Sequence, residues 1–260
     1  MTQPVFDAHL HVVDPRYPVV ENHGYLPEAF TVDDYRRRTA GLGTAGLHIA
    51  GGAVVSGSFQ GFNQGYLVDA LRALGPSFVG VTQLPAETSD QQILALHESG
   101  VRAVRFNVAR GGSAPLEDLD RLARRVHDLA GWHTELYVDA RTIDGHLAGR
   151  ISSLPKVSID HLGMHADGLP NLLRLVERGV KVKATGFGRI DLDPAVAVRA
   201  IVDVDPTALM VGTDLPSTRA RRPFDARDLE VVRGVLDDDE LRAVFWDNAA
   251  QFYLADPRTG

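Results

Sequence analysis

The chain has 260 residues, of which 44% are hydrophobic and 23% are charged, a composition typical of a soluble globular protein. Its net charge of -7 argues against nucleic acid as a partner, because nucleic-acid-binding proteins normally carry a basic face. The absence of cysteine excludes disulfides, thiolate metal ligands and a cysteine nucleophile. We found no apolar stretch of membrane-spanning length and no signal-peptide pattern, so we expect a cytoplasmic protein without a membrane partner.

Apolar runs with strand character alternate with amphipathic segments along the chain. We predict strands near residues 5–11, 46–56, 78–84, 101–108, 134–139, 156–163, 180–188 and 208–216. The predicted helices are Asp33–Leu42, Asn63–Leu74, Ser89–Ser99, Leu116–Ala130, Thr142–Arg150, Leu169–Arg178, Pro194–Val202 and Ala226–Leu236. This alternation predicts an α/β protein with a (β/α)8 barrel as a single domain over residues 1–260. A doubly wound open sheet is the alternative, but no glycine-rich phosphate-binding sequence follows the first strand.

Three segments fall outside the repeat. Asp14–Thr31 is a long first loop, which we expect to lie over the barrel mouth. The basic run Arg219–Arg222 is interpreted as a solvated loop, because acidic residues follow just downstream. Asp238–Leu254 predicts a final helix that packs against the barrel through one apolar side, made of Leu241, Val244, Phe245, Ala249 and Phe252.

The first apolar run contains two histidines one residue apart. Because alternate side chains of a strand point to the same side, we expect Asp7, His9 and His11 to share one face. Two neutral imidazoles at this spacing can ligate a metal or polarise a carbonyl group. The alternative is an edge strand with two solvated histidines.

Polar residues recur at the predicted C-terminal ends of other strands, where the active site of a (β/α)8 barrel lies. They are Arg105 and Asn107 in strand four, Asp160 and His161 in strand six, Lys183 and Thr185 in strand seven, Arg189 just beyond it, and Thr213 and Asp214 in strand eight. Taken singly, Asp214 is better explained as a helix N-cap and His161 as a satisfied core residue. The agreement of several strand ends favours an active site.

Six motifs resemble those of the amidohydrolase superfamily, in its amidohydrolase-related branch, and specifically the lactonases typified by 2-pyrone-4,6-dicarboxylate lactonase. They are DAHLH in strand one, GVRAVRFN in strand four, IDHLG in strand six, VKATG in strand seven, GTDLP in strand eight and WDNAAQFY near the C-terminus. The resemblance implies a distorted (β/α)8 barrel. It also implies hydrolytic chemistry at His9, His11, His161 and Asp214, which in many members hold one or two divalent metals.

The sequence departs from the binuclear members of this superfamily at two places. Where those members use a bridging lysine or glutamate at the end of strand four, this chain has Arg105 and Asn107. Strand five ends in Asp139 without the histidine that many members have there, and His133 lies at the beginning of that strand. A binuclear centre is therefore not expected.

A single metal, zinc or manganese, remains compatible with the sequence. His9, His11 and Asp214, with His161 near them, would satisfy the rule of three protein ligands plus water for a catalytic site. The dicarboxylate lactonases keep the same four residues and are thought to need no metal. The sequence leaves both alternatives open.

Two arginines point to the kind of substrate. If Arg105 points into the barrel mouth, an anionic substrate explains it, because arginine binds carboxylates through two hydrogen bonds. A salt bridge to Asp139 or Asp160 explains it equally well. By the resemblance, Arg189 corresponds in position to an arginine that grips a carboxylate in the lactonases. Further candidates to line the pocket are Tyr25 and Ser56.

These observations predict a hydrolase that opens a lactone or similar ester in a small carboxylated molecule. Asp214 would take a proton from the attacking water, while the three histidines, or a metal they hold, would stabilise the oxyanion. One alternative is a metal-dependent decarboxylase of the same branch, against which the missing strand-five histidine counts. Another is a non-catalytic small-molecule-binding barrel, which would not need a base beside two imidazoles. The substrate's identity and the oligomeric state, a homo-oligomer included, are left open.

Overall fold

The computed structural model describes residues 2–255 and contains eight parallel strands that follow one another around a single sheet in sequence order. The strands are β1 (Gln3–Leu10), β2 (Leu47–Val55), β3 (Phe78–Thr82), β4 (Val101–Asn107), β5 (His133–Tyr137), β6 (Val157–Ile159), β7 (Lys181–Ala184) and β8 (Leu209–Val211). The α-helices are α1 (Val32–Ala40), α2 (Gly65–Leu74), α3 (Asp90–Glu98), α4 (Leu119–Ala130), α5 (Gly145–Ser153), α6 (Leu169–Val176), α7 (Pro194–Val204), α8 (Arg227–Arg233), α9 (Asp238–Arg242) and α10 (Asn248–Leu254). The predicted (β/α)8 barrel is confirmed. Within residues 2–255, no helix combines the length and apolarity needed to cross a membrane.

The last three strands are shorter than the sequence predicted. β6 ends at Ile159, β7 at Ala184 and β8 at Val211, several residues before the predicted ends. The chain leaves the sheet there because the following residues adopt a different backbone conformation. His161 and Asp214 have φ angles of 54° and 57°, in the left-handed region that an extended strand does not contain. The loops that carry the candidate site therefore begin earlier than hydrophobic periodicity indicates.

The barrel closes between β1 and the segment that follows β8. The backbone N–H of Asp214 donates to the carbonyl of His9 at 2.7 Å, and that of His11 donates to the carbonyl of Leu215 at 2.7 Å. Gly212 permits this approach, because a Cβ atom at that position would lie 2.7 Å from the backbone nitrogen of His9. We call this region, residues 9–11 with residues 212–215, the seam.

Asp7 does not share a face with His9, contrary to the sequence prediction. Between Asp7 and Leu10, three steps along β1 match two steps along β2, so β1 contains one extra residue, a β-bulge. Asp7 therefore turns outward and accepts hydrogen bonds from the Tyr35 hydroxyl at 2.9 Å and from the Thr213 backbone at 2.8 Å. His9 faces the barrel interior.

A buried ion pair lies inside the barrel below the seam. Lys183 on β7 and Glu135 on β5 form this salt bridge, and neither side chain is exposed. The Tyr253 hydroxyl donates to Glu135 at 2.6 Å, and His133 Nε2 donates to the same oxygen at 3.1 Å. Tyr253 and Phe252 belong to α10, which packs against the barrel as the sequence predicted for the final helix, and it does so at the N-terminal end beside His133.

His133 should make the stability of the barrel depend on pH. Burial lowers the pKa of His133 to about 4, below its unfolded value of 6.5. Between these values the unfolded chain binds more protons than the folded chain, so stability falls as the pH falls. We expect His133 to contribute a loss of about 2 kcal/mol on going from about pH 7 to about pH 5.

Urea unfolding at the two pH values measures this contribution. His133→Gln should lose about 2 kcal/mol less than the wild type over the same interval, because glutamine does not titrate. His48→Gln, at an exposed position of β2, serves as the control and should behave as the wild type. Equal losses in the wild type and His133→Gln would contradict the prediction.

Candidate active site

His9, His11 and Asp214 meet at the seam and form the centre of the candidate active site. All three are buried, with exposed fractions of 0%, 4% and 0%. Asp214 Oδ1 lies 3.6 Å from His11 Nε2 and 3.8 Å from His9 Nε2. The two imidazole rings are 5.0 Å apart and nearly perpendicular. The structure thus brings together three of the four residues for which the sequence predicted hydrolytic chemistry.

The proton of His11 is located by its hydrogen bond. His11 Nδ1 donates to the carbonyl of Val55 at 2.7 Å, because a carbonyl oxygen can only accept. In the neutral ring, Nε2 then carries a lone pair that faces Asp214 Oδ1, which is also an acceptor. Asp214 Oδ1 and His9 Nε2 are buried and lack a hydrogen-bond partner among the described residues. Two acceptors that face each other, as His11 Nε2 and Asp214 Oδ1 do, are complementary to a shared proton donor, such as water, or to a cation.

Arg189 neutralises Asp214. It donates through Nε to Asp214 Oδ2 at 2.9 Å and through Nη2 to the same oxygen, while Nη2 also binds the carbonyl of Thr218 at 3.0 Å. Burial disfavours the charged form, but the Arg189 guanidinium outweighs it and holds the pKa of Asp214 well below its usual range. Asp214 is therefore ionised at neutral pH, with Oδ2 bound to Arg189 and Oδ1 able to accept a proton.

His161 completes the cluster of imidazoles. Its ring centre lies 4.9 Å from that of His9, and its Nδ1 lies 2.8 Å from the Thr185 hydroxyl. Gly186 allows this packing: its φ of +63° favours glycine, and a Cβ there would lie 2.8 Å from His161 Nδ1 and 2.9 Å from Arg189 Nε. Burial lowers the pKa of His161 well below its usual value, so the ring is neutral.

Asp160 is held by two cations beside His9. Arg105 donates to Asp160 Oδ2 through Nε at 3.1 Å and Nη2 at 2.7 Å, and Lys183 Nζ lies 3.4 Å from Oδ1. Oδ1 also lies 3.4 Å from His9 Nδ1. Burial lowers the pKa of His9 to about 4, so His9 is neutral between these charged groups.

Of the two partners that the sequence left open for Arg105, Asp160 is the one it binds, while Asp139 pairs with Arg141 at the surface. Arg105→Met should therefore destabilise the protein by about 3–5 kcal/mol, because it removes one partner of a buried ion pair. Arg141→Met, the control, should cost about 1 kcal/mol or less, because that pair is partly exposed.

Urea unfolding of these variants and of the double variant Arg105→Met/Asp160→Asn measures the coupling between the two charges. The double variant should be more stable than the sum of the single changes indicates. An Arg105→Met variant as stable as Arg141→Met would contradict a structural role for Arg105.

Among residues 2–255, two groups of three buried side chains have ligand atoms within 4.8 Å of one another. The first group is His9, His11 and Asp214, and the second is His9, Asp160 and His161. The first group fits a divalent ion, because His9 Nε2 and Asp214 Oδ1 lack partners and His11 Nε2 carries a lone pair. The second group fits less well, because Asp160 is already neutralised by two cations. Since both groups need His9, the donors are suited to one ion.

The purified protein is therefore expected to bind at most one equivalent of zinc or manganese per chain. Elemental analysis and calorimetric titration measure the stoichiometry, and His11→Ala should remove tight binding because it deletes one of three ligands. His133→Gln, at the opposite end of the barrel, should leave it intact. Two equivalents of metal per chain, lost together on mutation of His9, would contradict the prediction of a single ion.

The barrel mouth above these residues forms a small cavity that is partly open to solvent. Among the described residues, its lining contains no carboxylate but four arginines, namely Arg105, Arg110, Arg189 and Arg219. Tyr137, at the end of β5, also lines it, and the guanidinium of Arg105 lies 5.3 Å from the centre of the Tyr137 ring. A concave surface lined by several positively charged guanidinium groups attracts anions.

Sequence reasoning missed Arg110, Tyr137 and Arg219. The interpretation of Arg219–Arg222 as a solvated loop is wrong for Arg219, which lines the cavity. It holds for the side chains of Arg221 and Arg222, which are about half exposed or more and pair with nearby aspartates. The position of the run directly after strand eight was the available signal, because barrel loops on that side surround the active site.

Ser56 and Tyr25 contact the arginines of the mouth. The Ser56 hydroxyl is bound to the Tyr66 hydroxyl at 2.6 Å, and the Ser56 carbonyl accepts from Arg105 Nη1 at 2.9 Å. The guanidinium of Arg219 lies 4.5 Å from the centre of the Tyr25 ring. Direct contact of either residue with a substrate stays a prediction.

A (β/α)8 barrel with histidines at the end of β1 and an aspartate after β8 defines a class of barrel hydrolases to which the sequence motifs also pointed. The amidohydrolase family model matches residues 6–254, and the chain belongs to this family of enzymes. The family expectation drawn from the motifs is confirmed.

Two curated relatives act on lactones by name. The chain is 31% identical over 163 residues to a 2-pyrone-4,6-dicarboxylate hydrolase of Comamonas testosteroni, a match that covers 60% of this chain but only about half, 51%, of that relative. It is 25% identical over 256 residues to a D-galactarolactone isomerase of Agrobacterium fabrum, covering 91% of this chain and 86% of that protein.

Solved structures share the fold. An apo protein from Agrobacterium tumefaciens superposes with a TM-score of 0.84 at 22% identity, covering 97% of this chain and 96% of that one. A probable 2-pyrone-4,6-dicarboxylic acid hydrolase from Acinetobacter baumannii with citric acid bound superposes with a TM-score of 0.80 at 21% identity, covering 98% and 100%.

Proposed function

We propose that this protein hydrolyses a lactone ring, or a similar ester, in a small carboxylated molecule. The observation that carries the proposal is the pair of facing acceptors, Asp214 Oδ1 and His11 Nε2, which lie 3.6 Å apart beside the arginine-lined cavity whose wall includes His11. A water molecule that donates to both acceptors would direct its oxygen lone pairs towards a substrate in the mouth. The names of the two curated relatives support the substrate class.

In this reaction Asp214 is the general base. As the water oxygen bonds to the carbonyl carbon of the lactone, one water proton passes to Asp214 Oδ1, and the carbonyl electron pair moves onto its oxygen. When the carbonyl re-forms, the ring C–O bond breaks and Asp214 returns the proton to the departing alkoxide. The products are the open hydroxy acid and the unchanged enzyme, with one water consumed.

The neutral histidines stabilise the tetrahedral oxyanion. Because the Thr185 hydroxyl can donate to His161 Nδ1, the proton of His161 can reside on Nε2, where it is available as a donor. His9 Nε2 has no partner among the described residues and can donate in the same way. A divalent ion held by His9, His11 and Asp214 would, when bound, supply Lewis acidity at the same carbonyl.

Arg189 and Arg105 orient the substrate through its carboxylate in this proposal. Arg189 binds Asp214 through Nε and Nη2, which leaves Nη1 available to a second anionic group. Arg105 uses Nε and Nη2 for Asp160 and Nη1 for the carbonyl of Ser56, so its contact with a substrate is confined to the remaining N–H of Nη1 and Nη2. Arg189 is therefore the stronger substrate ligand of the two.

Isomerisation of a carboxylated sugar lactone is a second candidate, favoured by the match over 86% of the length of D-galactarolactone isomerase. A substrate hydroxyl would then replace water as the nucleophile, and Asp214 would remove its proton. Decarboxylation is less well supported, because β5 carries its histidine, His133, at the N-terminal end of the barrel against Phe252.

The test is a panel of lactones with product analysis by mass and NMR. We expect 2-pyrone-4,6-dicarboxylate or D-galactarolactone to gain one water, and Asp214→Asn to lower kcat by about 10²–10⁴-fold, because the base is lost. Asp225→Asn, which changes a surface aspartate of the loop after β8, is the matched control and should retain wild-type kcat and Tm.

Each other outcome has a defined meaning. A product of unchanged mass would replace hydrolysis by isomerisation, and carboxylate binding without turnover would favour a non-catalytic barrel. Near-wild-type turnover by Asp214→Asn would exclude Asp214 as the base. A neutral lactone that is turned over better than its carboxylated counterpart would contradict the substrate class.

A further inference from the structure

The four arginines of the cavity divide into two kinds. Arg105 and Arg189 each bind a buried aspartate, so their charges are compensated within the protein. Arg110 and Arg219 form no salt bridge to a carboxylate anywhere in residues 2–255. The uncompensated positive charge of the mouth therefore belongs to Arg110 and Arg219, which come from the loops after β4 and β8.

Asn22, in the first loop, connects these two arginines. Its side-chain Nδ2 donates to the carbonyl of Arg110 at 3.2 Å, and its side-chain Oδ1 accepts from Arg219 Nη2 at 3.0 Å. Arg219 Nη2 also donates to the backbone carbonyl of Asn22. One asparagine thus fixes the backbone of Arg110 and the guanidinium of Arg219.

Asn22 is itself held in a tight turn. Its backbone exchanges two hydrogen bonds with Tyr25, at 3.1 and 3.2 Å. The residues between them, His23 and Gly24, have φ angles of 51° and 73°, as in the rigid two-residue turn that joins hairpin strands. Tyr25 places its ring against the guanidinium of Arg219, 4.5 Å from the ring centre. Polar contacts and stacking therefore restrict Arg219 to one orientation.

This orientation has an energetic cost that no carboxylate among residues 2–255 offsets through a salt bridge. Arg219 has a φ of 60°, in the left-handed region that disfavours residues with a side chain. Burial and the positive charge of Arg110 lower the pKa of the Arg219 guanidinium, because both disfavour its charged form. An anion bound between the two arginines would offset the desolvation cost of the charged Arg219 guanidinium. It would also reduce the repulsion between the two positive charges.

We propose that Arg219, oriented by Asn22 and Tyr25, is a specificity-determining residue that binds a substrate carboxylate at the outer rim of the mouth, next to Arg110. This inference rests on the proposed function, because it assigns a further contact to the same substrate. Arg219 contributes to binding and not to the chemical step, since the general base and the histidines lie at the seam.

Kinetics on paired substrates test the assignment. For carboxylated lactones, Arg219→Ala should raise KM about tenfold to a hundredfold with kcat changed less than about threefold, because it removes charged hydrogen bonds made in both ground and transition states. Asn22→Asp should raise KM similarly, because the new carboxylate would compensate Arg219 internally. On the methyl esters of the same lactones, both variants should match the wild type. Arg227→Ala removes an arginine that is 86% exposed and is the matched control.

Binding of citrate, measured by calorimetry, gives a readout that does not depend on turnover. Arg219→Ala should weaken citrate binding about tenfold or more, and Arg227→Ala should leave it unchanged. If the wild-type protein turns over the lactone and Arg219→Ala leaves both KM and the citrate Kd unchanged, the assignment of Arg219 is overturned while the proposed function stands. Equal effects on acids and esters would do the same. A wild-type protein that neither turns over a lactone nor binds citrate would overturn the proposed function and this inference together.

Discussion

The hydrogen-bonded seam between β1 and the segment after β8 is the constraint on which the candidate active site depends. Two backbone hydrogen bonds of 2.7 Å, one at the carbonyl of His9 and one at the N–H of His11, tie these residues to Asp214 and Leu215. The side chains of His9, His11 and Asp214 are therefore held at fixed separations by the backbone. Preorganisation of this kind lowers the cost of reaching a reactive geometry, because no loop has to close to bring Asp214 and the histidines together.

Buried acidic and basic side chains that neutralise one another in ion pairs surround the seam. Among residues 2–255, three buried ion pairs lie at or below the seam, namely Lys183 with Glu135, Arg105 with Asp160, and Arg189 with Asp214. Such pairs contribute little to net stability, because each loses hydration on folding, but removing one partner is costly. Their arrangement around His9 and Asp214 fits a role in fixing those side chains. The net positive charge is left at the rim, where a substrate arrives first.

Much of this could be predicted from the sequence. The eight strands, their order and the approach of His9, His11, His161 and Asp214 follow from hydrophobic periodicity and from the position of polar residues at strand ends. The outward turn of Asp7 could not, because a β-bulge depends on how β1 pairs with a strand some forty residues away. Arg219 was misjudged because its direction is set by Asn22, 197 positions earlier in the chain.

The sequence by itself determined the barrel and the chemistry available at its mouth, since both depend on local patterns: the alternation of apolar runs and the residue types that end them. Only the tertiary structure decided which charges are compensated. Arg105 could have served a substrate or an aspartate, and its pairing with Asp160, 55 positions away, is fixed by the sheet, in which β5 lies between β4 and β6. Ion pairing depends on distances between residues far apart in the chain, and no local pattern encodes those distances.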